Sequence, residues 1–191
     1  MSPTSSDQQS VLQTLVDRAE IEDVLVRYCR AIDRGDLPML RGVFHDDAVI
    51  VHPPLNLPVA EFCPKIIDLV RMLGSTLHQL TNVGIEIEDG IAYSEAYFSA
   101  WHDVAAAAGD GAVFPERPDS KADYAFVGGR YINWLEKRDG TWRISDHTTI
   151  CEWETWLASD HRSGLVAIGR ERSFRDSRDP VYRRAAEKRK A

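Results

Sequence analysis

The sequence predicts an α+β domain, with helices first and a sheet of hairpins after them. Three observations predict it. Apolar residues recur at helical spacing up to about Leu73. Beyond Gly74 the pattern shortens to alternation. Two Asp-Gly pairs, Asp89-Gly90 and Asp139-Gly140, each lie between strand-like runs and signal tight hairpin turns. With 191 residues, 43% hydrophobic and 28% charged, the chain has the material for one sizeable core.

Residues 1–9 read as a disordered lead-in and 158–191 as a C-terminal extension, which leaves 10–157 as the domain. The helical pattern itself can be traced from about Ser6 to Asp33, where Val11, Leu15, Ile21, Val24, Leu25, Tyr28, Cys29 and Ile32 form a stripe. Gly35 is the expected cap. A short helix follows over Leu37 to Phe44. Asp46-Asp47 then reads as a turn, and Ala48 to His52 as a short strand. Pro53, Pro54 and Pro58 break it. A third helix is expected over Val59 to Leu73, with Phe62, Ile66, Leu69 and Val70 on one side. Thr76 to Glu88 and Ile91 to Val104 form the first hairpin. Ala105 to Ser120, rich in Ala, Gly, Pro and Asp, reads as a loop or lid. Ala122 to Lys137 and Thr141 to Trp153 form the second hairpin, with Gly128-Gly129 as a bend. Ser159 to Gly169 reads as an irregular connection. The last segment reads as an exposed tail, helical over Val181 to Lys190.

The net charge of −7 argues against nucleic-acid binding. From Arg170 onward nine Lys/Arg face four Asp/Glu, so the tail carries +5 and the body −12. Cys29, Cys63 and Cys151 show no paired spacing, which fits reduced thiols in a cytoplasmic protein. Cys29 and Cys151 fall in expected core elements. No apolar run reaches the ~18 residues of a membrane span, and no Gly-rich phosphate loop or Gly-x-Ser-x-Gly elbow is present.

Asp33 and His78 carry the chemistry. Asp33 sits at the end of the first helix, where the macrodipole disfavours a carboxylate. His78 stands among Leu77, Leu80 and Val83 on the first long strand. A carboxylate beside a histidine in an apolar cavity is a simple general-base device. Taken alone, each also fits a structural role. Tyr28 lies about 140° around the helix from Asp33 and reaches the same cavity only if the helix lines its wall. A two-residue turn at Asp89-Gly90 pairs His78 with Trp101 and turns His102 away; a bulge or longer loop that raises the register by one pairs His78 with His102. Both remain open. By alternation His147, Thr149 and Cys151 share a face. No tight metal-ligand spacing links the histidines, so no metal is expected.

These stretches resemble the SnoaL-like group of the nuclear transport factor 2-like superfamily over about Val16 to Trp156. The carriers are Arg18-Ala-Glu-Ile-Glu-Asp-Val-Leu-Val-Arg-Tyr28, Ala31-Ile-Asp33-Arg-Gly-Asp36, Phe44-His-Asp-Asp47-Ala, Leu77-His78 with Asn82, and Glu136-Lys-Arg-Asp-Gly140-Thr-Trp142-Arg-Ile. The resemblance implies a curved, mostly antiparallel sheet wrapped over the N-terminal helices around a conical pocket, a cystatin-like α+β barrel. It implies a cofactor-independent lyase acting on a hydrophobic aromatic or polycyclic molecule, with an isomerase, a cyclase or a non-catalytic module as alternatives. Asp33 and His78 become the expected catalytic pair, with Tyr28 and His102 assisting. His52, His147, Trp101, Phe44, Tyr97 and Phe126 become expected substrate contacts. A homodimer or homotrimer is expected, with no nucleic acid, membrane or cofactor partner.

Overall fold

A long helix, α1 (Ser5–Arg34), opens the chain. The computed structural model describes residues 4–104, 114, 122–158 and 173–182. The helix starts inside the expected lead-in because Thr4 closes a capping box: the Asp7 amide donates to Thr4 Oγ1 (3.3 Å), and the Thr4 amide to Asp7 Oδ2 (2.9 Å). It ends at Gly35, whose φ of +62° is a left-handed cap. The first turns leave Val11, Leu12 and Leu15 exposed. From Ile21 onward the stripe is buried through Val24, Leu25, Tyr28, Cys29 and Ile32, each large aliphatic side chain contributing about 1.5–3 kcal/mol.

Helix α2 (Leu37–Gly42) is capped by Asp36, and α3 (Val59–Met72) carries Pro64 in its interior. The strands are β1 (Phe44–Val51), β2 (Thr76–Glu88), β3 (Ile91–Asp103), β4 (Ala122–Arg138) and β5 (Thr141–Ala158). They form one sheet in the order β1-β5-β4-β3-β2, with β1 parallel to β5 and the other pairs antiparallel. The sheet curves but stays open, with β1 and β2 as its edges. Helix α1 packs on both β2 and β5, and α3 on β1, so the helices fill the concave side. Polar pins fix α1 there. Asp17 accepts from Lys137 Nζ (2.6 Å) and Trp142 Nε1 (2.9 Å), and Arg18 donates to the Ile85 carbonyl (2.8 Å). No described helix is long and apolar enough to cross a membrane.

Both Asp-Gly turns form as expected, with positive φ at Asp89, Gly90, Asp139 and Gly140. Asp46 and Asp47 do not end the strand. They sit inside β1, in an irregular stretch between the Phe44 and Val49 pairings with β5. Cys151 is exposed rather than core. On α3 the fully buried residues are Phe62, Cys63 and Ile67, with Ile66 and Leu69 only half-buried. Gly129 marks a close approach of β4 and β5: a Cβ there would collide with the Ile150 backbone, beside a register shift.

The β2–β3 register decides the site. Near the turn, Glu88 pairs with Ile91 and Gly84 with Glu95. Between Gly84 and Thr81 the pairing slips, because Asn82 and Val83 on β2 face only Ala96 on β3. Asn82 takes a left-handed φ of 49° to do so. Beyond this bulge His78 pairs with Ala100 and Thr76 with His102. Neither expected pairing occurs. The bulge lies on β2 and lowers the register by one, which puts His78 and His102 on the same concave face as diagonal neighbours.

The expected lid over Ala105 to Ser120 lies outside the described residues except Phe114, as do Ser159 to Gly169 and most of Val181 to Lys190. The described part of the tail, 173–182, is docked rather than free. Tyr182 donates to Asp36 Oδ2 (2.9 Å), and Arg34 pairs with Asp179 (3.5 Å) and reaches Ser173.

Candidate active site

Asp33 and His78 meet. His78 Nδ1 lies 2.8 Å from Asp33 Oδ1, and the His78 amide donates to Asp33 Oδ2 at 3.0 Å. Both side chains are under 10% exposed. Asp33 arrives from the last turn of α1 and His78 from the start of β2, and Thr76, two residues earlier on the same face, adds a third hydrogen bond to the carboxylate. Burial pushes the Asp33 pKa up, but the His78 and Thr76 hydrogen bonds outweigh it and hold the carboxyl below its usual range. An ionised Asp33 only accepts, so His78 Nδ1 carries a proton, and in the neutral ring Nε2 is then the lone-pair nitrogen. That is the tautomer a general base needs.

His102 stands edge-on to His78, ring centroids 5.3 Å apart. Burial, and then the nearby His78, push its pKa down to about 3, so its ring is neutral. Its ring also hydrogen-bonds the Ala125 backbone, while Nδ1 is buried with no partner among the described residues. An orphaned buried polar atom beside a base is a place for a ligand group. Phe114 packs on His102 at 5.1 Å, and Trp156 on Phe114 at 5.4 Å, which gives this end of the site an aromatic rim.

A second cluster lies further along the same concave face. His147, 1% exposed, is wrapped by Tyr28 (4.8 Å), Tyr131 (5.4 Å) and Phe44 (6.1 Å between ring centroids). Its hydrogen bonds run in one direction. The Asn133 amide donates to Ser94 (3.2 Å), so its carbonyl accepts from His147 Nδ1 (2.7 Å). His147 Nε2 then accepts from the Thr149 hydroxyl (3.0 Å), whose oxygen accepts from His52 Nδ1 (2.8 Å). The chain leaves His52 Nε2 as an acceptor. Burial pushes His52 to about 4 and His147 to about 3, each lowered further by a neighbouring histidine, so both are neutral. Burial raises the Tyr28 phenol well above its ordinary value. Tyr28, Tyr131, Asn133 and His147 line a cavity of about 10 Å³, room for one water.

Not every expected contact belongs here. Trp101, Tyr97 and Phe126 sit on the opposite, convex face, because strand neighbours alternate and Ala96, Phe98, Ala100 and His102 take the concave one. Trp101 packs on Tyr124 and Phe126, and Phe126 on Trp153; Tyr97 is 42% exposed. Phe44 is fully buried core, touching Tyr28, Phe62 and His147. Thr76, Trp156, Phe114 and Arg175 are the site neighbours that sequence reading missed. Alternation from His78 points to Thr76; nothing local points to Arg175.

Solved structures share this architecture. A Kribbella flavida protein, Kfla4162, is 24% identical over 74% of this chain and 95% of its own, with a TM-score of 0.62. A putative scytalone dehydratase from Novosphingobium aromaticivorans is 18% identical over 75% and 89%, with a TM-score of 0.61. A type 2 hexachlorocyclohexane dehydrochlorinase, LinA, is 18% identical over 77% and 93%, with a TM-score of 0.62. No curated protein matches the sequence. A model of the SnoaL-like domain matches residues 13–148, and the chain therefore belongs to the SnoaL-like family of the nuclear transport factor 2-like superfamily.

Proposed function

We propose that the protein is a cofactor-independent lyase that eliminates water or another small group from a hydrophobic, ring-bearing molecule. The observation that carries this reading is the buried Asp33–His78 contact at 2.8 Å with Nε2 left as the acceptor. His78 Nε2 removes a proton from carbon. The C–H electrons form the new double bond, and the bond to the leaving group breaks. Asp33 orients the ring and stabilises the imidazolium, as the carboxylate does in a triad. The proton leaves with the departing group. His102, His147 and His52 are neutral well below pH 7, so none is an acid at neutral pH; His78 itself returns the proton.

His102 Nδ1 accepts a hydrogen bond from a substrate hydroxyl, and Phe114 and Trp156 receive the ring. Tyr28 and His147 stand behind, around a cavity too small for substrate, and hold the wall rather than the reacting atoms. The dehydrochlorinase and putative dehydratase among the solved relatives support elimination as the reaction class.

The test uses bicyclic β-hydroxy ketones, which pair an acidic C–H with a leaving hydroxyl. Absorbance reports the conjugated enone. Turnover that vanishes in Asp33→Asn and His78→Gln supports the reading. Tight binding without turnover, or turnover indifferent to both changes, sinks it.

A further inference from the structure

Asp33 and His78 account for each other, but not for what holds Asp33 in place. Arg175, at the centre of the docked tail segment, reaches the residues around it. It lies beyond the family match, which ends at residue 148. Arg175 Nη1 donates to the carbonyls of Leu73 (2.9 Å) and Gly74 (3.0 Å), and Nη2 to Thr76 Oγ1 (3.3 Å). The guanidinium thus ties off the end of α3 and the first residue of β2, two residues before His78.

Direction follows from donor chemistry. A guanidinium only donates, so Thr76 Oγ1 accepts from Arg175. Its one proton is then free for Asp33, with which Thr76 makes a side-chain hydrogen bond. The run is Arg175 N–H to Thr76 Oγ, Thr76 O–H to the Asp33 carboxylate, and His78 Nδ1–H to the same carboxylate. Burial lowers the Arg175 pKa, and the negative charge of Asp33 is the first influence that raises it again. A half-buried cation with Nε unpartnered among the described residues is costly unless an anion balances it.

The anchoring of Arg175 is built rather than incidental. Its side chain lies against Gly35, where a Cβ would stand 3.3 Å from Arg175 Cδ. Asp179 accepts from the Phe174 amide (2.9 Å) and from Arg34. Tyr182 reaches Asp36, the cap of α2. Segment 173–182 therefore grips the C-terminal end of α1, where Asp33 resides.

We propose that Arg175 is a positioning residue, which acts through Thr76 to hold the Asp33 carboxylate in place and aimed at His78. The tail segment is then part of the active site. The inference deepens the lyase reading, but its test does not need turnover. A protein labelled with ¹⁵N-histidine shows the His78 Nδ1–H proton as a downfield resonance, assigned by its absence in His78→Gln. In Arg175→Met and in the near-isosteric Thr76→Val this resonance is expected to be lost to exchange, and Arg175→Lys restores part of it. Thr76→Val decides the matter if Arg175→Met does not fold. On a turned-over substrate, kcat falls at least tenfold in Thr76→Val while KM stays put. An unchanged resonance in either folded variant overturns the proposal. A resonance that behaves as expected in a protein that turns nothing over leaves the relay standing and removes only the lyase.

Discussion

The two faces of the sheet are built from the same strands and have opposite chemistry. The concave face holds Thr76, His78, His102, Asn133, His147 and Thr149, with Asp33 pressed onto it from α1. The convex face holds Trp101, Phe126, Tyr97, Tyr93 and Trp134, with Arg130 paired to Glu152 at 2.7 Å. Composition does not separate them, since aromatic and ionisable residues occur on both. Parity does. A strand residue belongs to one face or the other according to the count of residues since the last bulge.

Inserting one alanine between Gln79 and Leu80 abolishes the division of the faces most completely. With the bulge kept, it moves His78 from opposite Ala100 to opposite Trp101 and so to the convex side, leaving Asp33 buried and unpaired. An unpaired buried charge costs about 3–5 kcal/mol, so we expect a large drop in the chemical-denaturation midpoint together with loss of activity. His78→Gln keeps the parity and removes the base; kcat/KM on the β-hydroxy ketones should fall by about 10²–10⁴, with little change in thermal midpoint.

The pH dependence of stability sharpens the contrast. His52, His102 and His147 have folded pKa values lowered to about 4, 3 and 3. The unfolded chain binds protons at these positions from about pH 6.5 downward, and the folded chain does not. Their contribution is complete above about pH 6.5 and is lost as pH falls toward 3–4, by about 1.4 kcal/mol per pH unit for each histidine. Asp33, with its pKa lowered, adds a loss only at lower pH, below the ordinary carboxylate value of about 3.9. Denaturation midpoints between pH 7 and pH 5 should fall steeply, and His147→Gln should flatten the slope. The smallest effect belongs to the convex face. Trp101→Ala should cost about 1–3 kcal/mol of stability through lost ring contacts and leave kcat/KM within about twofold. A large loss of activity there would mean that the two faces are coupled.

Sequence carried much of this. Both hairpin turns were legible because Asp-Gly supplies the positive φ that a two-residue turn demands. The end of α1 was legible from Gly35, and Asp33 with His78 from two ionisable residues in apolar surroundings read together with the family resemblance. The bulge was not. Asn82 tolerates a left-handed backbone, but so do other asparagines, and nothing local in the sequence marks where β2 slips against β3. Trp101, Tyr97 and Phe126 were misplaced for that reason and for the simple alternation on β3. The N-terminal capping box was readable in Thr4 and Asp7 but was outweighed by the polar composition around it. Arg175 was illegible because its partners lie about a hundred residues away, at Leu73, Gly74 and Thr76.

The docking of 173–182 onto α1 also orders events in time. During synthesis α1 emerges before the sheet, carrying Asp33 and an apolar stripe with nothing yet to cover it. β2 brings His78 only 45 positions later, and β5 must form before β1 has its parallel neighbour. Contacts between distant parts of a chain form late, since loop closure must precede any gain. The contacts Arg34–Asp179 and Tyr182–Asp36, 145 and 146 residues apart, come last. A chain that lacks the segment from Arg175 onward has every strand of the sheet but a loosely held carboxylate, and the site matures only once 173–182 has been made and docked.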